Sequence, residues 1–142
     1  MSERLTASQA AGLTLDVARA VVAAVLADAR RMGVTMSCAV VDSGDQLVAF
    51  ERMDGADLVT ITLAKDKAYS ALVNRMPTSE LAQMVQPGTE YYGYDSVAGG
   101  RMIVFGGGLP IEMGGVLVGA VGVSGGSAEQ DEQAARAGVR AA

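Results

Sequence analysis

Apolar and polar positions change period several times along the chain, and each change predicts an element. Leu13, Val17, Ala20, Val21, Ala24 and Asp28 recur on one face at the helical spacing, and Gly33 stands where a left-handed glycine closes a helix. Thr6, with Gln9 three residues on, forms a capping-box pattern, so this helix is predicted to begin near Thr6 and to end about Arg31. From Ala20 to Ala27 it is apolar all round, the pattern of a helix covered both by its own sheet and by a neighbouring subunit.

Two strand-like runs follow, Met36 to Val41 and Gln46 to Met53, joined by Asp42-Ser43-Gly44-Asp45, whose side chains and glycine suit a tight hairpin. A helix is expected from Ala56 to Arg75, capped by Asp54 or Asp57 and stopped by Pro77. Thr78 opens a shorter helix that Pro87-Gly88 closes. Residues 87–101 are irregular and hold three of the four tyrosines, which suits a rim or lid. Beyond them come apolar runs at Met102 to Phe105 and Val116 to Val123, separated by Gly106-Gly107-Gly108-Leu109-Pro110-Ile111 and a Gly114-Gly115 turn. Ser127 with Gln130 opens a last helix through Ala141. Hairpin-length connections between successive strands predict one α+β domain over residues 1–142, an antiparallel sheet of about five strands carrying helices.

Composition narrows the function. The formal charge of −5 and the absence of any Lys/Arg cluster argue against a nucleic-acid partner. No apolar run approaches the length of a membrane span and no signal-like segment opens the chain, so a cytoplasmic protein is expected. Half the residues are hydrophobic, an excess that homo-oligomerisation would cover. There is no histidine, which removes the commonest general base and metal ligand together. No metal site is expected.

Several residues could carry chemistry, each against a plainer reading. Lys67 has Ala64 and Ala71 on its own helix face, leaving room for a ligand beside an ammonium; spacing alone favours a surface lysine like its neighbour Lys65. Ser124 and Gly125 lead into a helix N-terminus and, with Gly106, Gly107 and Gly108, could present backbone N–H groups to an anion; simple capping by Ser127 is the plainer alternative. Tyr91, Tyr92 and Tyr94 could stack on a flat ligand or ligate iron, or pack as interface residues. Glu129, Asp131 and Glu132 resemble a carboxylate cluster for a metal, but an acidic first turn is what a helix dipole favours anyway. Cys38 reads as a buried small hydrophobe, and the eight methionines as core filling.

Taken together, Gly106 to Ile111, Val118 to Gly126 and Glu129-Gln130-Asp131-Glu132 resemble, in order and spacing, the GlcG/HbpS-like domains, also found as the C-terminal domain of PduO-type corrinoid adenosyltransferases. Arg52-Met53-Asp54-Gly55-Ala56, Ala64-Lys65-Asp66-Lys67-Ala68 and Pro77-Thr78 extend the resemblance over nearly the whole chain. It implies a profilin-like fold, a five-stranded antiparallel sheet, symmetric oligomers and haem as a cofactor, and it places Lys67 on a family motif. The chain departs from histidine-ligated haem binders in having no histidine, so a hydroxyl or tyrosinate would have to substitute.

Three functions are compatible with these residues. The first is an oligomeric binding module for haem or another planar or anionic small molecule. The second is an enzyme acting on a small organic acid, with Lys67 anchoring its carboxylate and Tyr92, Tyr94 or Glu90 moving a proton. The third is a non-catalytic accessory protein of a catabolic or redox operon.

Overall fold

The computed structural model describes residues 12–142 of the chain. The first helix among the described residues, α1 (Leu15–Met32), does not run on from near Thr6, since residues 12–14 are non-helical; it starts where the Thr14 hydroxyl accepts from Val17 N, and ends on Gly33 in the left-handed region at φ 71°. The Thr6–Gln9 capping pattern lies outside the described residues. The buried stripe of α1 is Ala18, Val21, Val22, Val25 and Ala29, whereas Ala20, expected on it, is exposed. An all-apolar segment does not determine which side faces inward; here the larger valines take the core side.

The hairpin forms as expected from β1 (Ser37–Asp42) and β2 (Leu47–Arg52). Asp42 Oδ1 accepts from Gly44 N and Gln46 N at 2.9 and 3.0 Å, which fixes the turn. Next, α2 (Val59–Asn74) begins later than the sequence suggests, and neither Asp54 nor Asp57 caps it through a side chain. Its first turn is tied instead by the Thr60 hydroxyl, which donates to the Asp57 carbonyl and meets Ser37 Oγ at 2.8 Å. Arg75, in the left-handed region, closes α2 before Pro77, and α3 (Thr78–Met84) follows.

Two short 3-10 turns, Tyr94–Ser96 and Ala98–Gly100, organise the tyrosine loop. The chain then forms β3 (Gly108–Met113), a Gly114-Gly115 turn with φ of 59° and 79°, and β4 (Val116–Ser124). Last comes α4 (Ala128–Arg140), with the Ser127–Gln130 capping box in place.

Among the described residues the sheet has four strands in the order β2-β1-β4-β3, antiparallel throughout, rather than about five. The missing strand is Met102 to Phe105. Its polar groups turn towards α2: Ile103 N donates to Ser70 Oγ at 2.8 Å and Asn74 Nδ2 reaches Met102 Sδ at 3.1 Å. An apolar run of four residues specifies burial but not a ladder partner.

The two faces of the sheet are covered differently. Cys38, Val40, Val121 and Val123 pack with α1 and with Ala134 and Ala135 of α4 in the main core. On the other face Val41 and Ala120 meet Ala68, Ala71 and Leu72 of α2. Small side chains let α2 lie almost on the strand backbones: a Cβ at Gly122 would fall on the Ala64 carbonyl, and one at Gly108 on the Lys67 carbonyl.

Candidate functional site

This close approach buries Lys67. Among the described residues it heads the fully buried side chains by volume, at 1% exposure, in the middle of α2. Its Nζ donates to the Val123 carbonyl at 2.9 Å and to Asp131 Oδ2 at 2.8 Å. The other carboxylate oxygen, Asp131 Oδ1, accepts from Gly126 N at 2.8 Å, so the pair binds α2, the end of β4 and the first turn of α4 into one network. The Phe105 ring lies over the ammonium, its centroid 5.1 Å from Nζ. Gly107 is required beside it, because a Cβ there would come 2.7 Å from Nζ and φ is 131°.

Burial governs both ionisable groups. It pulls the Lys67 ammonium below its usual pKa, opposed by the charge and hydrogen bond of Asp131. Equally, burial pushes the Asp131 carboxyl up, opposed by Lys67 and by the Gly126 N–H. The affinities of the two groups for a proton are thereby drawn together.

Outside this pair lies an open cleft of about 310 Å³ whose walls include Phe105 and Gly106 on one side, Ser79 and Gln83 of α3, and Ala128 and Glu132 of α4. Ser79 Oγ donates to Glu132 Oε1, linking α3 to α4. No tyrosine borders this cleft.

The tyrosines sit elsewhere. Tyr91 and Tyr94 line a separate cavity of about 180 Å³ with Asn74, Leu81, Met84 and Val85. Their rings meet edge to face, 6.2 Å between centroids, and the Tyr94 hydroxyl donates to Asn74 Oδ1 at 2.7 Å. Tyr91 keeps its proton above the usual phenol range, first through its hydrogen bond to Glu90. Tyr92 is 68% exposed. The loop is fastened at its far end by Arg101, which donates to Asp66 at 3.1 Å and Asp45 at 3.0 Å and stacks on the Tyr69 ring at 3.9 Å.

Of the residues singled out by sequence, Lys67 and Gly106 to Gly108 therefore come together, with Ser124 and Gly125 following Val123 on the same strand end. Ser124 is buried at the end of β4, and a Cβ at Gly125 would fall on the Thr35 carbonyl. Tyr91, Tyr92, Tyr94 and Glu90 form a second locus. The sequence places Asp131 in an acidic first turn and in the family motif but names no partner for it, because nothing in its local spacing announces one 64 residues away. Phe105, Asn74 and Arg101 carry no local signal for the same reason: each acts across the fold.

The comparisons with known proteins agree with this architecture. Residues 13–140 match the family described as haem degrading protein HbpS-like. An uncharacterized 15.0 kDa protein from the dhaT-dhaS intergenic region of Citrobacter freundii is 41% identical over 123 residues, covering 87% of each chain. Among solved structures, Klebsiella pneumoniae protein ORFY superposes with a TM-score of 0.89 at 35% identity, covering 99% of this chain and 93% of its own. A PduOC:heme complex gives 0.88 at 34% identity, covering 92% and 94%. With its α-helices on both faces of the antiparallel sheet and nearly its whole length matched, the chain belongs to the HbpS-like family.

Proposed function

We propose that the chain is a small-ligand-binding domain that works as a homo-oligomer, with the tyrosine cavity as its ligand site. The observation that carries this reading is the cavity itself, walled by Leu81, Met84, Val85 and two phenol rings, with Tyr94 and Asn74, hydrogen-bonded to each other, as its polar edge. That is the usual make-up of a small-molecule site, apolar with a few placed polar groups. The apolar residues left exposed around it, Met84, Tyr91, Tyr92 and Val97, support a partner subunit as cover.

Haem is the candidate that the relatives supply, since the PduOC structure is a heme complex. Within one chain the fit to haem is poor. There is no imidazole, the Tyr94 hydroxyl is engaged by Asn74, and Glu90 holds the proton on Tyr91. The cavity, at about 180 Å³, is smaller than the roughly 300–1,000 Å³ usual for drug-sized ligands. A planar ligand smaller than haem suits a single chain; haem would require a second copy to complete the site.

Haemin titration separates the two. A saturable Soret shift at micromolar haemin, lost in Tyr92→Phe, would make haem the ligand and the exposed phenol its contact. With no shift, the smaller-ligand reading predicts that a panel of planar aromatic compounds perturbs Tyr91 and Tyr94 resonances, and an unresponsive pair of tyrosines would sink it.

A further inference from the structure

The chain has two lysines, two residues apart, and they differ completely: Lys65 is exposed, whereas Lys67 is buried with a carboxylate in contact. An ammonium has three protons to donate. Two go to Val123 O and Asp131 Oδ2, and the remaining side of Nζ faces the Phe105 ring. Phe105 is itself 43% exposed and forms a wall of the cleft between α3 and α4. The Phe105 ring thus borders both the buried amine and the open cleft.

We propose that Lys67 is a site for reversible imine formation with small neutral aldehydes or ketones that enter the cleft past Phe105, with Asp131 as its proton partner. This site is separate from the tyrosine cavity and does not rest on it. Asp131 Oδ2 takes a proton from the ammonium, leaving a neutral amine. The nitrogen lone pair attacks the carbonyl carbon, forming the C–N bond while the π pair moves to oxygen. Asp131 relays a proton from nitrogen to that oxygen, giving a carbinolamine. The same carboxyl then protonates the hydroxyl, the C–O bond breaks, and water leaves from a protonated imine. Nothing is oxidised or reduced. Burial, which draws the proton affinities of the two groups together, favours the neutral amine that the first step needs. The cleft walls include Glu129 and Glu132, which disfavour a substrate that is itself a carboxylate.

The test uses the whole protein, acetaldehyde and cyanoborohydride at neutral pH, with adducts mapped by peptide mass spectrometry. Lys65 serves as the exposed reference and Cys38, fully buried in β1, as a reporter of opening of the core. The expected result is a reduced adduct on Lys67 at a rate above that of Lys65. Phe105→Ala should raise the Lys67 rate roughly fivefold, the size of a lost cation–π contact, without changing Lys65. Asp131→Asn leaves a neutral amine without its proton relay, and should slow the Lys67 adduct to below the Lys65 rate while acetaldehyde still labels Lys65. Glyoxylate should label Lys67 more slowly than acetaldehyde. Labelling confined to Lys65 and the amino terminus would overturn the proposal. So would Lys67 labelling that merely keeps pace with Cys38 alkylation, since the amine would then react only from an opened chain.

Discussion

Glycine is dense in two regions of this molecule and does opposite work in them. In the seam between α2 and the β3–β4 pair, Gly108 and Gly122 have no room for a side chain, because a Cβ would strike the Lys67 or Ala64 carbonyl. In the tyrosine loop, Gly93 and Gly99 have nothing within 4 Å of such a Cβ, but stand at φ of 93° and 66°. The first pair is there for space and the second for backbone shape. The difference extends to chemistry. The seam carries a buried ion pair between Lys67 and Asp131; the loop carries exposed phenols around a small cavity, fastened by Tyr94 and Arg101.

The largest expected effect tests the seam. Asp131→Ala leaves Lys67 buried without its carboxylate and should cost about 3–5 kcal/mol in denaturant unfolding, whereas Lys67→Met with Asp131→Leu should recover most of it. The pH dependence has a definite sign. Losing Asp131 removes the two influences that hold the Lys67 pKa up, so the folded-state value falls further below the unfolded one of about 10.4. Between those values the unfolded chain binds more protons, and stability rises with pH. The deficit of Asp131→Ala should therefore shrink between neutral pH and the lysine range; a deficit that stayed constant would mean that charge burial is not its cause.

Gly122→Ala is next. Overpacking against a backbone carbonyl that cannot move aside should cost about 1–3 kcal/mol or more, and Gly108→Ala likewise. Gly93→Ala meets no atoms and should cost only the strain of its positive φ, about 1 kcal/mol. If the two substitutions cost the same in thermal melts, the distinction between space and shape fails.

Much of this division was open to inspection in the sequence, and the exceptions share a cause. Two helix ends set by neighbours a few residues away were readable, Gly33 as a left-handed cap and the Ser127–Gln130 box, whereas the Thr14 cap of α1 and the uncapped start of α2 were not. The hairpin around Asp42 was readable for the same reason. Met102 to Phe105 was not, because whether an apolar run joins a sheet depends on what its N–H groups meet, and Ser70 on another element takes that of Ile103. Nor was the burial of Lys67. Flanking alanines are equally compatible with an exposed lysine and with one pressed onto a strand; Gly122 and Asp131 decide the matter, and both are distant in sequence.

Smaller effects test the loop. Arg101→Ala removes a partly exposed charge network and its stacking on Tyr69, and should lower global stability by about 1 kcal/mol or less. Its signature is local: hydrogen exchange should accelerate in residues 87–101 and stay unchanged in β4. Faster exchange in both would show that the loop and the seam unfold as one unit.

The finest distinction lies between two neighbouring phenols. Tyr94→Phe deletes the hydroxyl that donates to Asn74 Oδ1, and should cost about 1 kcal/mol because that amide oxygen loses its partner. Tyr92, at 68% exposure, should tolerate phenylalanine within about 0.5 kcal/mol. A matched pair of melts therefore assigns each tyrosine a different place: Tyr94 to the architecture of the cavity, and Tyr92 to whatever meets its mouth. Should Tyr92→Phe destabilise the isolated chain as much as Tyr94→Phe, the exposed phenol would belong to the fold, and the case for it as a contact to ligand or partner subunit would lose its footing.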